Sequence, residues 1–320
     1  MINISVTPHL SPVVVIGASG FIGEHLLSVL SERGGIEVRV LVHRNSAKSY
    51  TNIKFIEGDL LKPGSLDVLL VENCTVFNLA YLAESNLEAT TNLAMACSKN
   101  KVRRLIHCST AVVAGNVTNN LVNESATCFP ISEYEKTKLK IEAILLEASV
   151  GKFEVTVLRP TAVFGPGGKN LLKLANDLIN VNPWVNYIRS CILGRRGMNL
   201  VCVENVVAAL LFLMDAENVD REVFIISDDD SVINNYRDIE SILLKCFEKS
   251  YLIPRIYVPA IVLSGLFSLI GKLNSKPFVK YSDQKLAAYG FKKHRTLVAG
   301  VHAFAMWYKF EFKESQNNLN

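Results

Sequence analysis

Tyr134 and Lys138 stand four residues apart in SEYEKTKLK, residues 132 to 140. In a helix that spacing puts both side chains on one face, about one turn apart. A phenol ionises near ~10 in water, too high for easy proton transfer at neutral pH, and an adjacent ammonium favours the phenolate. Such a pair suits proton transfer by a general acid/base. Spacing alone does not single it out from a solvated helix face. Of the ten tyrosines, Tyr50, Tyr134, Tyr281 and Tyr289 all have a lysine at the fourth following position.

A second group of residues offers anion chemistry. VVVIGASGFIGEHLL places Gly17, Gly20 and Gly23 directly after an apolar run and at the head of an amphipathic one. Gly17 permits a tight turn, Gly20 lets the backbone approach a pyrophosphate, and Gly23 lets a helix pack close to a sheet. The helix N-terminus then offers N–H groups and partial positive charge to phosphates. The loop residues Ser19, Phe21 and Ile22 join the glycines as candidate cofactor contacts. The run EVRVLV is followed by His43 and Arg44, where dinucleotide-binding chains usually carry an acid. An acid there holds a ribose 2′-hydroxyl, and an arginine suits a 2′-phosphate. The expected cofactor is therefore NADP(H) in preference to NAD(H).

These groups need a scaffold, and the hydrophobic pattern supplies one. Apolar runs at 13–17, 37–42, 53–60, 74–80, 102–109 and 153–160 alternate with helical patterns at 21–33, 85–100 and 132–149, with a short helix after KPGS. Near-continuous apolar strands alternating with helices imply an α/β fold, a Rossmann-type doubly wound parallel sheet covered on both faces. After GPGG (165–168) the pattern loosens. Helices are expected near 170–180, 203–215, 234–247, 260–271 and 296–308, with a strand at 223–227. The expected division is a cofactor-binding domain with the Tyr/Lys pair over 1–165. A smaller, mostly helical substrate-binding part over 166–320 is interleaved with the main sheet. No repeat or low-complexity linker interrupts the chain.

Composition excludes several classes. With 320 residues, 49% apolar and 20% charged, the chain can bury a sizeable core and is not disordered. A net charge of +4 gives no nucleic-acid footprint. Seven cysteines, an odd number without a C-x-x-C pair, point to a reducing compartment with no disulfide framework and no metal site. Cys108 is expected to be buried and inert. No basic region followed by a long apolar run opens the sequence, so a cytoplasmic location is expected. The uncharged stretch 256–271 is short for a membrane span and contains a proline. It suits a buried or dimer-facing helix better than contact with a membrane surface.

Upstream of Tyr134, residues 108–115 read CSTAVVAG. With the glycine loop, GDL at 58–60, NLA at 78–80, YEKTK at 134–138 and LRPTAVFGPG at 158–167, the chain resembles the extended short-chain dehydrogenase/reductase family. That family includes the NAD-dependent epimerases and dehydratases of nucleotide sugars, and the resemblance covers most of the chain. It implies Tyr134 as general acid/base and Lys138 as the residue that lowers its pKa and holds the nicotinamide ribose. It places the catalytic hydroxyl on Thr110, with Ser109 a weaker candidate. It implies Asp59 and Leu60 near the adenine end, Ala80 in the cofactor groove, and Arg159–Pro160 beside the nicotinamide. It also implies a homodimer through the helix 132–149, whose Ile141, Ile144, Leu145 and Ala148 form an apolar stripe.

The sequence departs from the nucleotide-sugar pattern at Ala114, Ala162 and Met198, where tyrosine, asparagine and arginine are usual. VENVV (203–207) and the apolar stretch resemble the 3β-hydroxysteroid dehydrogenase branch instead. The leading expectation is an NAD(P)-dependent epimerase or reductase of a nucleotide sugar. The alternative is an alcohol dehydrogenase or ketone reductase for an apolar substrate. A third is a non-catalytic cofactor sensor, which the presence of both Tyr134 and Lys138 argues against. Members that remove water from the sugar follow the threonine with an acid pair. Ala111 and Val112 occupy those positions, so no 4,6-dehydration is expected.

Overall fold

A computed structural model describes residues 11–43, 52–82, 84–116, 119–256 and 278–312. Arg44 and the apolar stretch beyond Ile256 lie outside the described residues. The chain opens with β1 (Val13–Ile16), α1 (Phe21–Glu32), β2 (Val38–Val42), β3 (Ile53–Glu57), α2 (Pro63–Leu69) and β4 (Thr75–Asn78). It continues with α3 (Asn86–Lys99), β5 (Arg104–Cys108), β6 (Leu121–Val122), α4 (Glu133–Ala148) and β7 (Glu154–Pro160). Seven strands form one parallel sheet in the order β3-β2-β1-β4-β5-β7-β10, where β10 is Val223–Ile226. This is the doubly wound Rossmann order extended by one strand.

Alternation along β1 explains the layering. Val13 and Val15 face a core with Leu26 and Leu30 of α1, while Val14 and Ile16 face a core with Leu93 of α3 and Leu145 of α4. Successive strand side chains point to opposite faces, and both faces here are apolar. The strand order reverses between β1 and β4. The crevice at their carboxyl ends is where such sheets take ligands.

Beyond Gly165 the chain divides its work. The helix α7 (Val203–Asp215) packs with α1 on the first face, and β10 joins the sheet beside β7. The helices α5 (Leu172–Asn180), α8 (Tyr236–Cys246) and Leu297–Trp307 share a separate core built on Phe164, Leu178, Leu243 and Phe304. Among the elements outside the sequence expectation are α6 (Pro183–Leu193) and the short parallel pair of β8 (Ala162–Phe164) with β9 (Leu200–Cys202).

Of the apolar stripe on α4, Ile144 stays half-buried and the other three residues go to the core. Ile141 and Leu145 are buried and Ala148 packs on the same core, so these residues are consumed by the chain's own packing. They give no support to a dimer.

Candidate active site

The glycine loop sits at the reversal point of the sheet. Gly17 adopts φ +84°, in the left-handed region, and a Cβ there would lie 2.6 Å from the Ala80 nitrogen. Any side chain would force the ends of β1 and β4 apart. A Cβ on Gly23 would collide with the Gly17 carbonyl oxygen. No side chain caps α1, so the N–H groups of its first turn keep their capacity to hold a phosphate.

Gly17, Ser19 and Gly20 line a groove of about 830 Å³, with His43, Leu60 and Ala80 further along it. Its size is that of a ligand site, and glycines keep open the space that side chains would fill. Space and donors fit a dinucleotide. Phe21 and Ile22 pack their side chains onto the core, Phe21 under the turn at Gly168, so backbone N–H groups are what they can offer. Asp59 spends one carboxylate oxygen on the Leu61 N–H at 2.9 Å, and its own N–H donates to Ser65 Oγ.

The catalytic candidates lie at the carboxyl ends of β4 and β5. A capping box fixes the start of α4. Ser132 Oγ accepts the Glu135 N–H at 3.3 Å, and Glu135 Oε2 accepts the Ser132 N–H at 3.2 Å. Tyr134 therefore falls in the first turn and Lys138 one turn on. Lys138 is 4% exposed, and its ammonium donates to the Cys108 carbonyl at 3.2 Å. Thr110 follows β5, its hydroxyl accepts the Val112 N–H at 3.4 Å, and it opposes the rise of the Tyr134 pKa. Thr110, Tyr134 and Lys138 thus converge. Ser109 does not join them, because its hydroxyl is given to Glu142.

Charge in the site differs from the expectation. Partial burial raises the Tyr134 pKa, although the residue stays 41% exposed; Cys108 and Tyr81 add to the rise, and Thr110 opposes it. The expected lowering by Lys138 is not what sets the phenol. The ammonium turns to the Cys108 carbonyl and the Tyr81 ring, and burial lowers the lysine's own pKa against the pull of Cys108 and Glu142. Cys108 is a buried thiol pushed up to about 11, chiefly by burial, as expected of inert packing. His107 is held well below its ordinary value by burial and by Lys138, so it is neutral. Its Nδ1 lies 3.3 Å from the Asn78 side-chain amide nitrogen, within hydrogen-bond distance.

Two residues escaped the sequence reading. Glu142 stands one turn beyond Lys138 on the same face, a spacing of i+4 that was legible in the helix. It is 1% exposed and grips Arg159 of β7 through Nε–Oε1 at 3.0 Å and Nη2–Oε2 at 2.5 Å. Arg159 is thus committed to Glu142. The other is Tyr81, which lines the groove and whose ring centroid lies 5.1 Å from that of Tyr134. The Lys138 ammonium sits 5.3 Å from the same ring. No group of three or more His, Cys, Asp or Glu side chains able to hold a metal occurs among the described residues.

A glycine loop at the reversal point of a parallel sheet, with Tyr81 of its groove set against Tyr134 and Lys138, fits a nucleotide-cofactor enzyme of the extended short-chain dehydrogenase/reductase type. The pattern of the NAD dependent epimerase/dehydratase family matches residues 13–227, and the chain belongs to that family. It is an enzyme that depends on a nicotinamide cofactor.

Its similarity to sterol-4-alpha-carboxylate 3-dehydrogenase, decarboxylating, of Schizosaccharomyces pombe is 30% identity over 184 residues. That alignment spans 51% of this chain and 53% of the relative. Similarity to UDP-glucose 4-epimerase of Vibrio cholerae is 25% over 240 residues, 68% of this chain and 70% of the relative. The crystal structure of dTDP-glucose 4,6-dehydratase from Bacillus anthracis in complex with NAD superimposes with a TM-score of 0.73 at 16% identity. It covers 95% of this chain and 98% of that one. At that identity the likeness speaks for the fold.

Proposed function

We propose that the chain transfers a hydride at one carbinol or carbonyl carbon of a nucleotide sugar, as a reductase or an epimerase. The observation that supports this reading is the meeting of the Tyr134 ring and the Lys138 ammonium on Tyr81, a residue that lines the groove beside the glycine loop. The bound nicotinamide supplies or accepts the hydride. Tyr134 gives a proton to the substrate oxygen in reduction and takes it back in oxidation. Thr110 holds that oxygen, and Lys138 supports the phenol and the ribose. Gly17, Ser19, Gly20, Phe21, Ile22 and Gly23 hold the pyrophosphate through the backbone. Asp59, Leu60 and Ala80 flank the rest of the cofactor.

Ala111 is buried and Val112 is an exposed alkyl group, both directly after Thr110. Neither moves a proton, so the reaction stops short of 4,6-dehydration. His43 lines the groove where β2 ends without an acid, which supports NADP(H) as the preferred cofactor, with Arg44 as its 2′-phosphate partner.

A second reading, an apolar alcohol or ketone as substrate, has its own support. Val112, Phe129 and Ile131 are exposed apolar side chains on the segments leading into Thr110 and Tyr134, and a sterol dehydrogenase is among the relatives. Mass spectrometry of small molecules retained through purification, followed by turnover of the retained class with NADPH or NADH, decides between them. A nucleotide sugar supports the first reading. A sterol or similar apolar alcohol supports the second, and a 4-keto-6-deoxy sugar formed from a nucleotide-activated hexose removes the exclusion of dehydration. We propose a homodimer as well, through the α3–α4 surface, where Leu87 and Met95 are exposed. Light scattering that shows only monomer at micromolar concentration rejects it.

A further inference from the structure

We propose that Tyr81 is a positioning residue of this active site, a wall that shields the Tyr134 phenol and holds the Lys138 ammonium beside it. The inference rests on the hydride-transfer reading.

Tyr81 follows the strand end Asn78-Leu79-Ala80, and its backbone is fixed on both sides. The Leu79 N–H donates to the Ile16 carbonyl at 2.9 Å, and the Leu82 N–H donates to Asn86 Oδ1 at 2.7 Å. Asn86 is itself buried at the head of α3. The ring is thus delivered to one place, between the cofactor groove and the catalytic helix. There it meets Tyr134 edge to face, with 66° between the ring planes. The Lys138 ammonium lies over the same ring.

This placement answers a need of the buried lysine. An ammonium has three N–H donors. One is taken by the Cys108 carbonyl, and the electron-rich face of an aromatic ring attracts a cation without a hydrogen bond. The groups facing the phenol and ammonium are few. Tyr81 comes from the end of β4, Cys108 and neutral His107 from β5, Thr110 from the turn after it, and Glu142 from α4 itself. Of these, Tyr81 touches both members of the pair from the side of the groove, where solvent and cofactor enter.

The test uses NMR of the full chain carrying ¹³Cζ-labelled tyrosine, with Tyr134 assigned by the signal lost in Tyr134→Phe. In Tyr81→Ala the wall is gone, the phenol is hydrated, and Tyr134 titrates at lower pH than in the unaltered chain. In Tyr81→Phe the ring remains, and Tyr134 titrates close to its original position. Tyr81 is 42% exposed, and the dispersion of the tyrosine signals in each variant checks that it folds. A side chain that served only stability would move the melting temperature and leave this titration in place. An unchanged titration in Tyr81→Ala overturns the proposal. So does an equal shift in both variants, which would assign the effect to the hydroxyl. Turnover that survives in Tyr134→Phe overturns the hydride-transfer reading instead and leaves the titration result standing.

Discussion

Glu142→Ala should be among the most destabilising single changes near the site. Glu142 and Arg159 have side chains 2% and 9% exposed, joined by three charge-assisted hydrogen bonds. Removing the carboxylate leaves the guanidinium buried with only the weak contact to Cys128 Sγ at 3.7 Å. Breaking one side of such a pair costs about 3–5 kcal/mol. Ser109 loses its acceptor at the same time, and an unsatisfied buried hydroxyl adds about 1–3 kcal/mol. At roughly 2 °C per kcal/mol for a chain this long, the melting temperature falls by about 8–16 °C. Urea unfolding measures the free energy, and calorimetry measures the temperature. Replacing the whole group, with Ser109→Ala, Glu142→Met and Arg159→Met together, should restore most of the loss, because no buried charge is then left alone. The reasoning fails if Glu142→Ala costs less than ~1 kcal/mol, or if the triple variant is as unstable as the single one.

Tyr134→Phe should keep cofactor binding and lose turnover by at least ~10²-fold, whereas Lys138→Ala should lose both; turnover near that of the unaltered chain in the first variant removes Tyr134 from the mechanism. With the Tyr134 phenol raised and therefore protonated at neutral pH, the rate of carbonyl reduction should stay level through neutrality. It should fall only above the ordinary tyrosine value of ~10, while oxidation rises with pH; a reduction rate that falls between pH ~6 and ~8 contradicts this. Equilibrium titration should show tighter binding of NADPH than of NADH, with Arg44→Ala abolishing the difference; tighter NADH binding, unchanged in that variant, makes Arg44 a surface residue. Asp228 is buried, and its pKa is pushed up to about 6, chiefly by burial. The fold therefore favours its protonated form. That contribution is whole below the unfolded value of ~3.9 and lost as pH rises through about 6, so Asp228→Asn should gain stability relative to the unaltered chain across that window. A stability difference that does not change with pH refutes it.

The scaffold was legible because its signals are local and redundant. VVVI has to be a buried strand whichever face is considered, since both faces of β1 are covered. Gly17 and Gly23 stand where backbone approaches backbone, so their spacing carried the turn, the helix and the groove together. The helix α6 was also within reach. Asn182 accepts the Trp184 N–H at 2.9 Å, and Pro183 occupies the first helical position, an ordinary start signal. The pair β8–β9 offered only three residues a side, too short for a pattern.

What sequence spacing could not supply was the direction of charge. Tyr134 and Lys138 do share a helix face, but sharing a face fixes neither where an ammonium points nor what it competes with. The Cys108 carbonyl arrives from β5, Tyr81 from the end of β4, and Glu142 holds Arg159 of β7. Three strand ends, set by sheet register rather than by any stretch of nine residues, therefore surround one lysine. They draw its charge away from the phenol, and burial is left as the larger influence on Tyr134. A phenol kept protonated in this way is a donor. It can give its proton to a substrate oxygen in reduction, and oxidation along the same path returns the proton to it.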